Sequence, residues 1–229
     1  MKKTIGLATL CVLSVVSIVL AQIPNMNLAN SIVEARQKNN TQLTTFTWTV
    51  QTQIFKDGNV KDTRIQQVAY GPGGVPQYTL LNDIGSRMPI GFFRRAIAEN
   101  EKQELETYLK GVEKLVGQYT LPTSGAIVNF LQTASIVQTT GPDGLPVLQA
   151  TGNSVVTPGD NMTISFNATT FLPTSMDIST NFNGQPLTMN ATFRVVPGSG
   201  LNHMQYATVN IPGKGLMVNI HNYDYVPNN

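Results

Sequence analysis

The chain is poor in the residues that carry covalent and metal chemistry. Of its 229 residues one is cysteine, Cys11, and two are histidine, His203 and His221. Cys11 lies in an apolar run near the amino terminus, so disulfides and thiol chemistry are excluded from everything beyond that run. A zinc site needs three or four N, S or carboxylate ligands at close quarters, and no helical or turn spacing supplies them here. Charge is also scarce. Between Thr120 and Asn229 only Asp143, Asp160, Asp177, Arg194, Lys214 and Asp224 are charged, and Asn, Thr, Ser and Gln cover the remaining polar positions. No basic stripe follows a nucleic-acid backbone, which argues against that partner. The sequence has no Gly-x-Ser-x-Gly elbow, phosphate loop or dinucleotide fingerprint. It also has no linker and no repeat of fixed period.

What is present begins with MKKTIGLATLCVLSVVSIVLAQ, two lysines, an apolar run and a small-residue site at Ala21. Residues 1–21 are therefore expected to be a cleaved, bacterial-type signal peptide, and residues 22–229 one periplasmic or secreted domain. The apolar run is short for a membrane span, and a retained anchor is the rival reading. Without Lys2 and Lys3 the chain has thirteen basic and thirteen acidic side chains, so the pI near 8.7 belongs mostly to the precursor. An exported domain without disulfides must be held by its core.

The clearest local pattern is FLPTSMDISTNFNGQPLTMNATFRVV, residues 171–196. Apolar and polar residues alternate on both sides of Asn183-Gly184, which marks a β-hairpin with one apolar face. Upstream, the spacing of Leu28, Ile32 and Ala35 predicts a helix over 25–38, with Asn39-Asn40 as its stop. Phe46, Trp48, Val50 and Ile54 share one face of a strand that turns at Asp57-Gly58 into a second, about residues 60–70, and a third strand follows over 76–81. A helical spacing runs from Arg94 to Tyr119, and Ser124 is placed to cap another helix whose stripe is Ile127, Phe130, Leu131, Ala134 and Val137. From Gln138 turn signals recur at short intervals, predicting six or so further strands. Strands around a helical insert imply an α+β fold, a strongly curved antiparallel sheet with helices packed on its concave side as a lid.

Several clusters suggest chemistry and have simpler readings. His203, His221 and Asp224 would serve as a hydrolytic or metal site only if they converge; two histidines on exposed strand faces is the plainer account. Pro158-Gly159-Asp160 lacks the further carboxylates of a calcium loop and reads as a turn with an aspartate cap. Glu101, Glu104 and Glu113 share their helix with lysines and arginines, as a solvated face does. Asn39, Asn161, Asn167 and Asn190 begin glycosylation acceptors, which a bacterial-type signal makes irrelevant.

Three stretches carry a family resemblance. LTTFTWTVQTQIFKDGNVKDTRIQQVAYGPGG, TFLPTSMDISTNFNGQPLTMNATFRVV and NHMQYATVNIPGKGLMVNIHNYDY resemble the first hairpin, central hairpin and last strand pair of the LolA-type superfamily of periplasmic lipoprotein carriers and lipid-binding relatives. That resemblance implies an incomplete, open β-barrel with a helical lid whose interior receives acyl chains. The carriers have a basic residue where this chain has Gly71-Pro72-Gly73-Gly74, which weakens the lipoprotein-relay role and leaves the broader one of lipid binding.

These readings give a non-enzymatic, monomeric binding protein, without cofactor or metal, for a hydrophobic small molecule or acyl chain. The expected ligand-binding residues are Phe46, Trp48, Val50, Ile54, Met176, Ile178, Phe182, Met189, Phe193, Met204 and Met217, since methionine and aromatic side chains make an adaptable apolar wall. The same residues suit an ordinary packed core. The alternative is an envelope protein-protein interaction or sensor module with a solid core and no ligand.

Overall fold

The computed structural model describes residues 25–72, 74–83, 99–120, 122–141 and 144–228. The expected signal peptide, and the first residues of the helix expected from Arg94, lie outside them. Three helices and ten strands follow in the order α1 (Asn25–Leu43), β1 (Phe46–Lys56), β2 (Asn59–Tyr70), β3 (Pro76–Asp83), α2 (Glu99–Thr120), α3 (Ser124–Thr133), β4 (Ser135–Thr140), β5 (Pro146–Asn153), β6 (Asn161–Asn167), β7 (Pro173–Phe182), β8 (Gln185–Val195), β9 (Asn202–Ile211) and β10 (Leu216–Pro227).

All ten strands form one antiparallel sheet in the order β3-β2-β1-β10-β9-β8-β7-β6-β5-β4. Every neighbour pair is a chain-adjacent hairpin except β1 with β10, which joins the two halves. The turns supply the local reason. Asp57 and Gly58, and Asn183 and Gly184, all have positive φ, as tight turns between right-twisted strands require. The chain leaves the sheet at one edge, β3, and returns at the other, β4. Nine strand spacings make that about 43 Å if laid flat. Helix α2, of 22 residues, is about 33 Å long, and buried residues of α1, α2 and α3 share one core with the strands, so the three helices lie on one face.

The alternation of the strands selects that face. Val50, Ile54, Met176, Ile178, Leu187, Met189, Ala191, Ala207, Val209 and Ile211 are buried, while their chain neighbours are mostly not. Leu28, Ala29 and Ile32 of α1, Leu109, Val112, Leu115 and Tyr119 of α2, and Phe130 and Leu131 of α3 complete the main core against β5–β9. Close approach has a sequence cause at Gly152, where a Cβ would strike the Phe130 ring of α3. A smaller cluster holds Leu43, Phe46, Trp48, Val50, Val68 and Leu201.

Four expectations change. The sheet is open, as expected, with β3 and β4 as its edges among the described residues, but it is not strongly curled. Helix α1 does not stop at Asn39-Asn40 but continues to Leu43. The Asn39 amide is engaged elsewhere, donating to the Asn202 carbonyl (2.8 Å) and accepting from its N–H (2.7 Å). Helix α3 is capped by Thr123, whose hydroxyl accepts from the Ala126 N–H, not by Ser124. It ends at Thr133, so Val137 stands in β4, half exposed. The β-branched run Ile136-Val137 and Thr139-Thr140 favours a strand there. Seven strands follow the helices.

Candidate functional site

An apolar cleft opens where the first turns of α1 meet the β4–β6 end of the sheet. Its volume is about 200 Å³ and it is lined by Asn27, Leu28, Ser31, Gln138, Leu148, Ala168 and Phe171. Leu28 and Leu148 are buried members of the main core, so the cleft leads directly onto the helix–sheet layer. Asn27, Ser31 and Gln138 give its rim hydrogen-bonding groups without charge.

The wall at 168–171 is built by its turn. The Asn167 side-chain carbonyl accepts from the N–H groups of Thr169 and Thr170, both at 2.9 Å. The Asn167 backbone exchanges hydrogen bonds with Phe171 and Leu172. Pro173 biases Leu172 toward extended backbone, so the reversal falls on Phe171, whose φ is +57°. A bulky residue in the left-handed region is strained, and strain of this kind collects where a site needs it. Phe171 was not among the residues singled out from sequence. Leu28 was read only as part of the first helix's apolar face, and Leu148 and Ala168 not at all; the three come from distant stretches with no shared motif.

The sequence-selected residues divide into groups. Met176, Ile178 and Met189 are almost wholly buried in the main core, with Phe182, Phe193 and Met204 packed against it. Phe46, Trp48 and Val50 lie in the smaller cluster. Ile54 is buried on the face of β1 that carries Val50. Met217 pairs with Phe55 and Asn210, one residue out of phase with the buried Leu216, and so faces away from the helices.

Around Trp48 the side chains form an aromatic box. Its indole N–H donates to the Asn222 side-chain carbonyl at 3.1 Å, and its ring meets Tyr70, His203 and Tyr225 at 5.9, 5.0 and 6.2 Å. Tyr225 reaches the box because Asp224, at φ +54°, shifts the β1–β10 register by a bulge. His203 Nδ1 and the Tyr225 hydroxyl are 2.5 Å apart. Burial holds the imidazole neutral, down to about 4, and pushes the phenol up.

His203, His221 and Asp224 do not converge. His203 pairs with Tyr225, whereas His221 stacks between Tyr206 and Tyr223 at 4.2 and 4.8 Å. Among the described residues no three of His, Cys, Asp or Glu gather closely enough to hold a metal. Asp160 is the most enclosed carboxylate in the turns. It accepts from the N–H groups of Val155, Val156 and Thr157 at 2.6, 2.8 and 2.8 Å and from the Tyr119 hydroxyl at 2.6 Å. Burial drives its carboxyl up, and the hydrogen bonds from Thr157, Tyr119, Val156 and Val155 outweigh this and hold it below the usual range. It ties α2 to the β5–β6 turn, a structural use of the aspartate.

No helix among the described residues is long and apolar enough to cross a membrane. No protein-family model matches the sequence, and no curated protein matches it. Among solved structures, a DUF1329 family protein from Desulfovibrio piger aligns over 89% of this chain and 93% of its own, at TM-score 0.39 and 10% identity. A LolA superfamily protein from Nitrosomonas europaea aligns over 88% and 94%, at TM-score 0.34 and 12% identity. Scores this low describe a shared course of the chain at most, and neither protein lends this one a ligand.

Proposed function

We propose that this chain is an exported, non-enzymatic binding protein that holds an acyl chain or other hydrophobic ligand between its sheet and its helices. The observation that carries this reading is the cleft at Phe171, apolar inside, uncharged at the rim and continuous with the core. A ligand tail would start at Leu28 and Leu148 and advance over the methionine-rich row of Met176, Ile178 and Met189 as α1 and α3 shift outward. Thioether side chains repack at low cost, and each buried CH₂ contributes roughly 0.8 kcal/mol. Phe182, Phe193 and Met204 border that row; the Trp48 box with Phe46, Val50 and Ile54 would serve a longer tail. Release follows when the helices close on the sheet. A periplasmic carrier of lipids or lipoprotein acyl chains is the form this takes for a cleaved signal at 1–21.

Substituting Ala168→Trp puts an indole into the cleft wall. It is expected to weaken binding of a fluorescent fatty-acyl probe about tenfold or more, with the Tm kept within about 4 °C. A folded A168W protein with unchanged probe affinity contradicts the reading.

A second reading has its own observation. Val75, Tyr78, Leu80 and Leu81 are 62, 62, 51 and 55% exposed in and beside edge strand β3, as suits an interaction module that pairs along that edge. A protein that takes up no acyl probe at all would favour it.

A further inference from the structure

We infer that the face of the sheet turned away from the helices carries a second binding site, for a neutral saccharide. The site is a depression of about 260 Å³ over the centre of the sheet, at the junction where β1 joins β10. Its walls are two rows across three strands. Gln51, His221 and Tyr206 stand in register in one row, and Gln53, Asn219 and Thr208 in the other. These residues alternate with the buried Val50, Thr52, Ile54, Ala207 and Val209, so the rows lie on the free face.

Each row has a chemical use. Tyr206 is 48% exposed, and its ring is pinned on one side by His221, 4.2 Å away and 15° from parallel, itself backed by Tyr223. A ring held in this way offers apolar surface at little entropic cost. The C–H face of a sugar ring needs such a surface. In the second row the Thr208 hydroxyl donates to the Asn219 carbonyl at 2.9 Å, which fixes that amide and leaves its NH₂ outward. The side-chain amides of Gln51 and Gln53 have no hydrogen-bond partner among the described residues. Amides able both to donate and to accept match sugar hydroxyls, which do the same. No Lys, Arg, Asp or Glu lines the depression. An anionic or cationic ligand would find no counter-charge there, and a neutral one loses nothing by its absence. The pattern also differs from the helix side, where the cleft is apolar, so the two sites would select different molecules.

The test titrates the mature protein with maltohexaose, cellohexaose and N-acetylchitohexaose, each to about 10 mM, followed by side-chain amide NMR. At least one is expected to shift the Gln51 and Gln53 amide signals saturably. Y206A should weaken that binding about tenfold, and Y206F, which keeps the ring, should retain most of it. Affinity should be the same in about 0.05 and 0.5 M salt, and uptake of the fatty-acyl probe should not change in Y206A. No shift with any of the three sugars, binding that survives Y206A, or binding that salt abolishes would each overturn the proposal. Failure of the acyl probe alone would leave it standing.

Discussion

At the scale of single residues, two desolvated titratable groups, one half-buried and one buried, make stability respond to acid in separate pH windows. His203 is neutral in the fold to about 4, against 6.5 for an ordinary histidine. The unfolded chain therefore binds the proton first. Stability is whole above 6.5 and declines as pH falls toward 4, by about 2–3 kcal/mol. H203F removes the titration, and urea unfolding across that range is expected to show a flatter profile than wild type. Asp160 acts lower. Its folded value lies under the usual 3.8, so its contribution is complete above 3.8 and is lost as pH falls through the folded value. D160N cannot accept from three N–H groups and a hydroxyl with a full negative charge. At neutral pH it should cost about 2–4 kcal/mol, and its unfolding should be less sensitive to acid below about pH 4. An unchanged urea midpoint would show that the Tyr119–Asp160 tie carries no load.

At the scale of elements, the helices are held to the sheet by small residues and side-chain ties. The Asn39 amide serves the Asn202 backbone as a neighbouring strand would, anchoring the last turns of α1 at the start of β9. N39A should cost about 1–3 kcal/mol by leaving two backbone groups unpaired, and hydrogen exchange at Asn202 reports it directly. Gly152 lets Phe130 sit on β5, and the Cβ in G152A would press on that ring. A loss of about 1–3 kcal/mol is expected, read from the shift in urea midpoint. These elements show what the sequence discloses. The strands were legible because alternation and positive-φ turn residues such as Asn183-Gly184 are local signals. Helix ends were less so, since the residues that decide them answer to partners far along the chain. Asn39 reads as a helix stop and is a tertiary clamp. Ser124 and Thr123 offer the same hydroxyl, and geometry alone selects Thr123.

For the whole molecule, one feature of topology organises the rest. The chain leaves the sheet at β3 and returns at β4, on opposite edges, and the helices between them share one core with α1 and the strands on one face. The helices on one side follow from the order of elements, while the opposite edges are a finding of the structure. The weak curl does not follow, because alternation gives faces and says nothing of curvature. The cleft was beyond reach for a related reason. It draws on Asn27, Leu28 and Ser31, on Gln138 and Leu148, and on Ala168 and Phe171, and Phe171, its most distinctive member, occupies a backbone conformation that its residue type disfavours. The result is a protein with an apolar seam under its helices and an uncharged polar depression on the opposite face of its sheet. The central claim is that the seam holds a ligand. The measurement that tests it most directly is native mass spectrometry of the protein purified from the cells that make it, followed by organic extraction and lipid analysis. A lipid or other apolar molecule bound one to one is the predicted result, and A168W should lose it. A bare wild-type protein that also fails to take up the fatty-acyl probe would contradict the account.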